Sequence, residues 1–124
     1  MSGASIGGGS GGGGASFQTL SNSTSTALEA SRIVKASAGT LFVISGFNNK
    51  ASDQYIQVFD STSIPANGTV PKITIYAAAG MPFGYTAPVG SGRSFSTGIV
   101  VCNSSTGNTK TLGSADCLFD VQYL

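Results

Sequence analysis

Titratable and nucleophilic side chains are few in this 124-residue chain, and their types exclude most kinds of active site. The chain has no histidine, which excludes a histidine general base, a histidine metal ligand and the nucleophiles that depend on a histidine partner. Its two cysteines, Cys102 and Cys117, lack the two further soft ligands that a zinc site needs. We expect both to be buried, reduced thiols. A disulfide formed after release into oxidising surroundings is the alternative, and it requires Cα atoms within about 7 Å.

Five carboxylates remain as candidate acid or base groups: Glu29, Asp53, Asp60, Asp116 and Asp120. A glycosidase pair needs two of them about 5–10 Å apart. Asp53 and Asp60 lie at the two ends of one predicted strand, about 23 Å apart, and Asp116 and Asp120 lie about 13 Å apart along another. Pairs of carboxylates from two different strands are the alternative that the sequence leaves open. Asp60 and Asp116 adjoin turn residues, where carboxylates commonly accept backbone N–H groups. The sequence therefore predicts a protein that is not an enzyme and has no cofactor or metal site.

Charge is sparse along the whole chain, at 9% of residues and a net charge of +1, where soluble domains have about 25% charged residues. No basic region marks a nucleic-acid or anionic membrane partner. The chain has no apolar run of about 18 residues, so we expect no transmembrane helix. The first residues lack signal-peptide features, so we expect synthesis and folding in a cytoplasm. A surface with so few charged residues favours a protein that is covered by neighbouring subunits. A soluble surface rich in Ser, Thr and Asn is the alternative.

Composition divides the chain into two parts. Residues 1–28 contain no charged side chain and eight of the eighteen glycines, so we expect a flexible, glycine-rich N-terminal arm. An engineered linker is the alternative for its glycine run. Ile6, Phe17 and Leu20 are the apolar residues by which this arm is expected to bind a partner. Residues 29–124 form the predicted folded domain.

The folded part alternates in the manner of β-strands, with turn signals between short apolar runs. Two nearly continuous apolar runs, 40–47 and 94–103, predict central strands covered on both faces. The other predicted strands are 32–36, 53–60, 72–77 and 116–124. With almost no helical periodicity, this pattern predicts an all-β domain, a β-sandwich of the jelly-roll kind.

An aromatic stretch at 80–85 offers one alternative ligand site. Phe83 and Tyr85 would form the rim of a sugar-binding loop if they were exposed, and a loop capping one end of the sandwich is the other interpretation.

From about Arg32 onward the chain resembles small β-sandwich structural proteins of tailed bacteriophages. The resemblance is carried by residues 46–48, 55–60, 64–71, 95–106 and 109–113 and by Asp116. It implies a virion component, either a capsid decoration (cement) protein or an accessory protein of the head–tail or tail region. The arm lies outside the matched part.

The sequence and this resemblance together predict a homotrimeric decoration protein located in the virion. Its partners would be the major capsid protein or other virion proteins, reached by the sandwich and by the arm. A tail-tip or fibre-head module that binds a host cell-surface glycan is the alternative function.

Overall fold

The computed structural model describes residues 19–88 and 90–124, and these residues contain nine β-strands and no helix. The strands are β1 (Ser21–Thr24), β2 (Ser31–Lys35), β3 (Gly39–Asn48), β4 (Gln54–Asp60), β5 (Ile73–Ala77), β6 (Pro82–Thr86), β7 (Arg93–Phe95), β8 (Ile99–Ser104) and β9 (Cys117–Tyr123). The all-β prediction is confirmed.

The strands form two antiparallel sheets. Sheet A has the order β1-β9-β3-β6, with β7 pairing the first residues of β3, and sheet B has the order β2-β8-β4-β5. β6 and β7 pair with successive parts of β3, so the two can be counted as one interrupted strand. Counted in this way, the fold has eight strands in two four-stranded sheets. The chain crosses between the sheets after β1, β2, β3, β5, β7 and β8, and together with the strand order this is the connectivity of a jelly roll. The predicted sandwich is confirmed.

Both long apolar runs lie where the sequence predicts central strands. β3 lies between β9 and β6, and β8 lies between β2 and β4. Every residue of β8 is buried, which shows that both faces of this strand are covered. The alternation in β4 is also confirmed, because Ile56 and Val58 belong to the main core whereas Phe59 belongs to a separate cluster on the opposite face.

The main core fills the space between the two sheets. Sheet A contributes Leu41 and Ile44 from β3 and Phe119 and Val121 from β9, all at most 1% exposed. Burying side chains of this size contributes about 1.5–3 kcal/mol each. The core thus fixes which residues of each strand face outward.

Sheet A begins earlier in the chain than the predicted boundary after residue 28. Ser21–Thr24 pairs with β9, from Ser21 opposite Tyr123 to Thr24 opposite Asp120. The segment predicted as an arm therefore includes an edge strand. Four polar, uncharged residues give little hydrophobic alternation, which is why the sequence did not reveal it.

Candidate functional site

The outer face of sheet B is covered by two connecting segments, residues 61–71 and 105–115, which together we call the cover. Beneath it lies a small apolar cluster of Phe59, Val100 and Cys102, each at most 2% exposed. These side chains point away from the main core, since their strand neighbours fill it. Their burial requires material on the outer face, and the cover supplies it.

One buried glutamine holds the cover to the sheet. The Gln57 side-chain Nε2 donates to the backbone carbonyls of Thr106, Gly107 and Thr109, with donor–acceptor distances of 2.8, 3.1 and 3.3 Å. Gln57 itself is fully buried. A side chain shared by three carbonyls fixes the path of this loop.

The two segments of the cover are also bonded to each other. The Gly68 N–H donates to the Lys110 carbonyl at 2.8 Å, and the Lys110 N–H donates to the Thr69 carbonyl at 2.9 Å. Asn67 Oδ1 accepts from the Leu112 N–H at 3.0 Å. Gly68 has a φ of +91°, a left-handed backbone conformation that favours glycine and turns the chain at this point. The cover is thus a preformed surface rather than a pair of loose loops.

No charged side chain is exposed on the cover. Its one charged residue is Lys110, which is 3% exposed. Its exposed apolar side chains are Ile64 (40% exposed), Val70 (72%) and Leu112 (44%). Apolar side chains on an uncharged, rigid surface are typical of sites that other proteins cover.

The carboxylates serve the fold. Asp60 accepts from the backbone N–H groups of Ser96 (3.0 Å), Thr97 (2.8 Å) and Gly98 (3.3 Å), and from the hydroxyls of Ser96 and Thr97. These bonds hold the pKa of its carboxyl far below the ordinary value. The turn role predicted for Asp60 is confirmed.

Asp116 departs from the same prediction. Its carboxylate accepts from the Ser114 hydroxyl and lies 3.9 Å from the Lys50 ammonium, without a backbone N–H donor. Of the other acids, Glu29 pairs with Arg32 at 2.7 Å. Asp120 accepts from the Thr24 hydroxyl at 3.0 Å.

Both thiols are free and buried. Burial raises the pKa of Cys102 and of Cys117 to about 11. This agrees with the predicted reduced, buried thiols.

The aromatic stretch is not the exposed rim that the sequence offered as an alternative. Phe83 is 7% exposed in β6 and packs against Phe119, with ring centroids 6.2 Å apart. Tyr85 packs against the same core, and its hydroxyl accepts from Arg93 at 3.3 Å. Because β6 pairs with β3, its alternate side chains turn inward. Phe83 therefore offers no ring face to a sugar.

Of the three arm residues predicted to bind a partner, only Leu20 is described, and it is partly buried just before β1. Ile6 and Phe17 lie outside the described residues. Within residues 19–88 and 90–124 there is no ligand-sized pocket and no group of three or more metal-ligating side chains. The same part of the chain has no helix long and apolar enough to cross a membrane.

The sequence did not predict the cover, although a signal was present. Ser, Thr, Asn and Gly are frequent in both segments of the cover, and such a composition predicts connecting loops rather than a packed layer. The apolar side chains on both faces of β8 were the sign that something must lie outside sheet B.

Comparison with known proteins found no matching family model, no matching curated protein and no matching solved structure.

Proposed function

We propose that this chain is a non-enzymatic structural protein of a tailed-phage particle, a decoration protein that binds the assembled head. The observation that carries the proposal is the cover, a rigid surface with exposed apolar side chains and no exposed charge. Its partner would be the major capsid protein or another virion protein.

The distribution of charge supports docking by the cover. Burying a charged group without a partner costs several kcal/mol, whereas an uncharged surface avoids this cost. Apart from the buried Lys110, the charged side chains lie outside the cover, and several are paired, such as Arg32 with Glu29 and Lys72 with Asp60. The bonds of Gln57 fix the cover before it meets a partner, so little conformational freedom is lost on binding.

The jelly roll is compatible with this role, since the fold occurs in viral capsid domains as well as in lectins. A glycan-binding module needs exposed aromatic side chains, and the burial of Phe83 removes one of the two candidates. The decoration function is therefore the one we carry forward. We propose in addition that the protein is a homotrimer and that its arm, through Ile6, Phe17 and Leu20, contacts neighbouring virion proteins.

The proposal is tested by adding the purified protein to phage particles that lack it and measuring how tightly it binds to them. Val70→Asp places a carboxylate at the most exposed apolar position of the cover, and Met81→Asp places one at an exposed residue outside it (72% and 53% exposed). We expect Val70→Asp to weaken co-sedimentation with the particles at least about tenfold, which corresponds to about 1.4 kcal/mol. Met81→Asp should bind as the natural chain does. Equal binding by Val70→Asp and the natural chain would contradict the assignment of the cover.

A further inference from the structure

Lys110 is a buried amine that the docking function does not use. It is 3% exposed, and its Nζ lies 3.2 Å from Oδ1 of Asn67. All five carboxylates of the chain lie in the described part, and none is within 4.0 Å of this Nζ. The lysine amine is thus placed against a side-chain amide rather than paired with an acid.

Backbone bonds on both sides hold the two side chains in place. Gly68, next to Asn67, donates to the Lys110 carbonyl, and Lys110 donates to the Thr69 carbonyl. This pairing keeps the amine and the amide carbon in the same small volume. Holding two groups in this way replaces an encounter in solution by a reaction within one molecule, which accelerates a slow step greatly.

A second donor acts on the same carbonyl oxygen. The Leu112 N–H lies 3.0 Å from Asn67 Oδ1, so this oxygen keeps a backbone donor when Lys110 stops donating to it. Such a donor stabilises the negative charge that develops on a carbonyl oxygen under nucleophilic attack. Asn67 is also exposed, which lets a small leaving group escape to water.

From this geometry we propose that Lys110 and Asn67 form an intramolecular isopeptide bond. Lys110 Nζ gives up a proton to solvent, and its lone pair attacks Asn67 Cγ to form a new C–N bond. The resulting oxyanion on Oδ1 is held by the Leu112 N–H. The Cγ–Nδ2 bond then breaks as Nδ2 takes up a proton from Nζ, and ammonia leaves. No oxidant or other reactant is consumed.

The bond would join the two segments of the cover covalently, at the point where hydrogen bonds already join them. A cross-link of this kind restricts the unfolded chain and so stabilises the folded one. It would form in the isolated chain, whatever the cover contacts.

Intact-mass analysis of the purified full-length chain after incubation at neutral and mildly alkaline pH tests the proposal. We expect the chain to lose the mass of one ammonia, and tryptic digestion to yield a peptide pair linked between Asn67 and Lys110 with no cleavage after Lys110. Lys110→Arg retains a cationic donor to Asn67 but cannot form the bond, so it should keep its full mass.

Two results would overturn the proposal. The first is a natural chain that keeps its full mass and remains cleavable after Lys110 following prolonged alkaline incubation. The second is an equal ammonia loss in Lys110→Arg, because it would locate the reaction at the Asn67–Gly68 peptide, where the Gly68 nitrogen would form a succinimide. Cleavage of the natural chain by hydroxylamine at that peptide would identify this second reaction.

Discussion

Replacing Asp60 by asparagine should weaken the fold more than its exposed position suggests. Asp60 ends β4, and its carboxylate binds the turn before β8 through five hydrogen bonds from Ser96, Thr97 and Gly98. In Asp60→Asn one oxygen is kept, but an NH₂ group replaces Oδ2 and faces the Ser96 N–H, which leaves that donor without an acceptor.

The magnitude follows from what the asparagine loses. One bond to a backbone donor is broken, and the bonds at the remaining oxygen change from charged to neutral. Bonds to charged groups contribute about 1.5–3 kcal/mol and neutral ones about 0.5–1.5 kcal/mol. After allowance for the partial exposure of the site, we expect the free energy of unfolding at pH 7 to fall by about 2–3 kcal/mol. With the slope of a small domain, the urea midpoint would fall by about 1–2 M.

The dependence on pH has a definite sign. The pKa of Asp60 is lower in the folded protein than its ordinary value of 3.8, so the unfolded chain binds the proton more tightly. The stabilisation is complete above the ordinary pKa and is lost as the pH falls below it, toward the folded pKa. The natural chain should therefore lose stability below about pH 4, and Asp60→Asn should lack this part of the loss.

Urea unfolding followed by circular dichroism between pH 2 and about 7 measures both effects, provided that unfolding is two-state. Asp53→Asn is the matched control directly before the same strand, because Asp53 accepts one backbone N–H among the described residues, from Ala79 at 2.9 Å. Hydrogen bonds from Tyr76 and Ala79 also lower the pKa of Asp53. Asp53→Asn should therefore lower the free energy of unfolding as well, but by less than Asp60→Asn does. Two results would refute this account of Asp60: equal losses of unfolding free energy in the two variants, or a loss of stability below about pH 4 that is as large in Asp60→Asn as in the natural chain.

Two further predictions concern the core. Gly46→Ala should destabilise the fold by about 1–3 kcal/mol, because its Cβ would clash with the Leu118 carbonyl and lie 2.5 Å from Phe83 Cζ. Gly84→Ala is its control, since its nearest contact is 3.6 Å away, and similar melting temperatures for the two variants would contradict the close approach. Cys102 and Cys117, with pKa values raised to about 11, should resist iodoacetamide at pH 8 until denaturant is added, and labelling of the native chain would show that they are accessible.

The sequence predicted the sandwich because its signals are local. The apolar run through β3 and the alternation of Ile56 with Gln57 in β4 specify which side chains face the core. Cross-strand pairing then follows from burying those faces. The polar strand β1 was missed for the converse reason, since its place in the sheet comes from pairing with β9 rather than from its own side chains.

The candidate site could not be predicted from the sequence because it depends on contacts between residues that are far apart along the chain. Gln57 meets the carbonyl of Thr109 across 52 residues, and Asn67 meets Lys110 across 43. Nothing local to either segment specifies those contacts. In the same way the sequence left Phe83 open between a sugar-binding rim and a capping loop, because only its pairing opposite Gly46 turns the ring toward the core.

Cryo-electron microscopy of the phage particle to which we propose that this protein belongs tests the central claim most directly. The account predicts density for this jelly roll on the outside of the head, with the cover containing Val70 and Leu112 against the capsid surface. Removal of residues 2–16 from the chain in a second preparation would show whether the arm is needed for attachment. A head without this density, or a domain that meets the capsid while its cover faces solvent, would contradict the account.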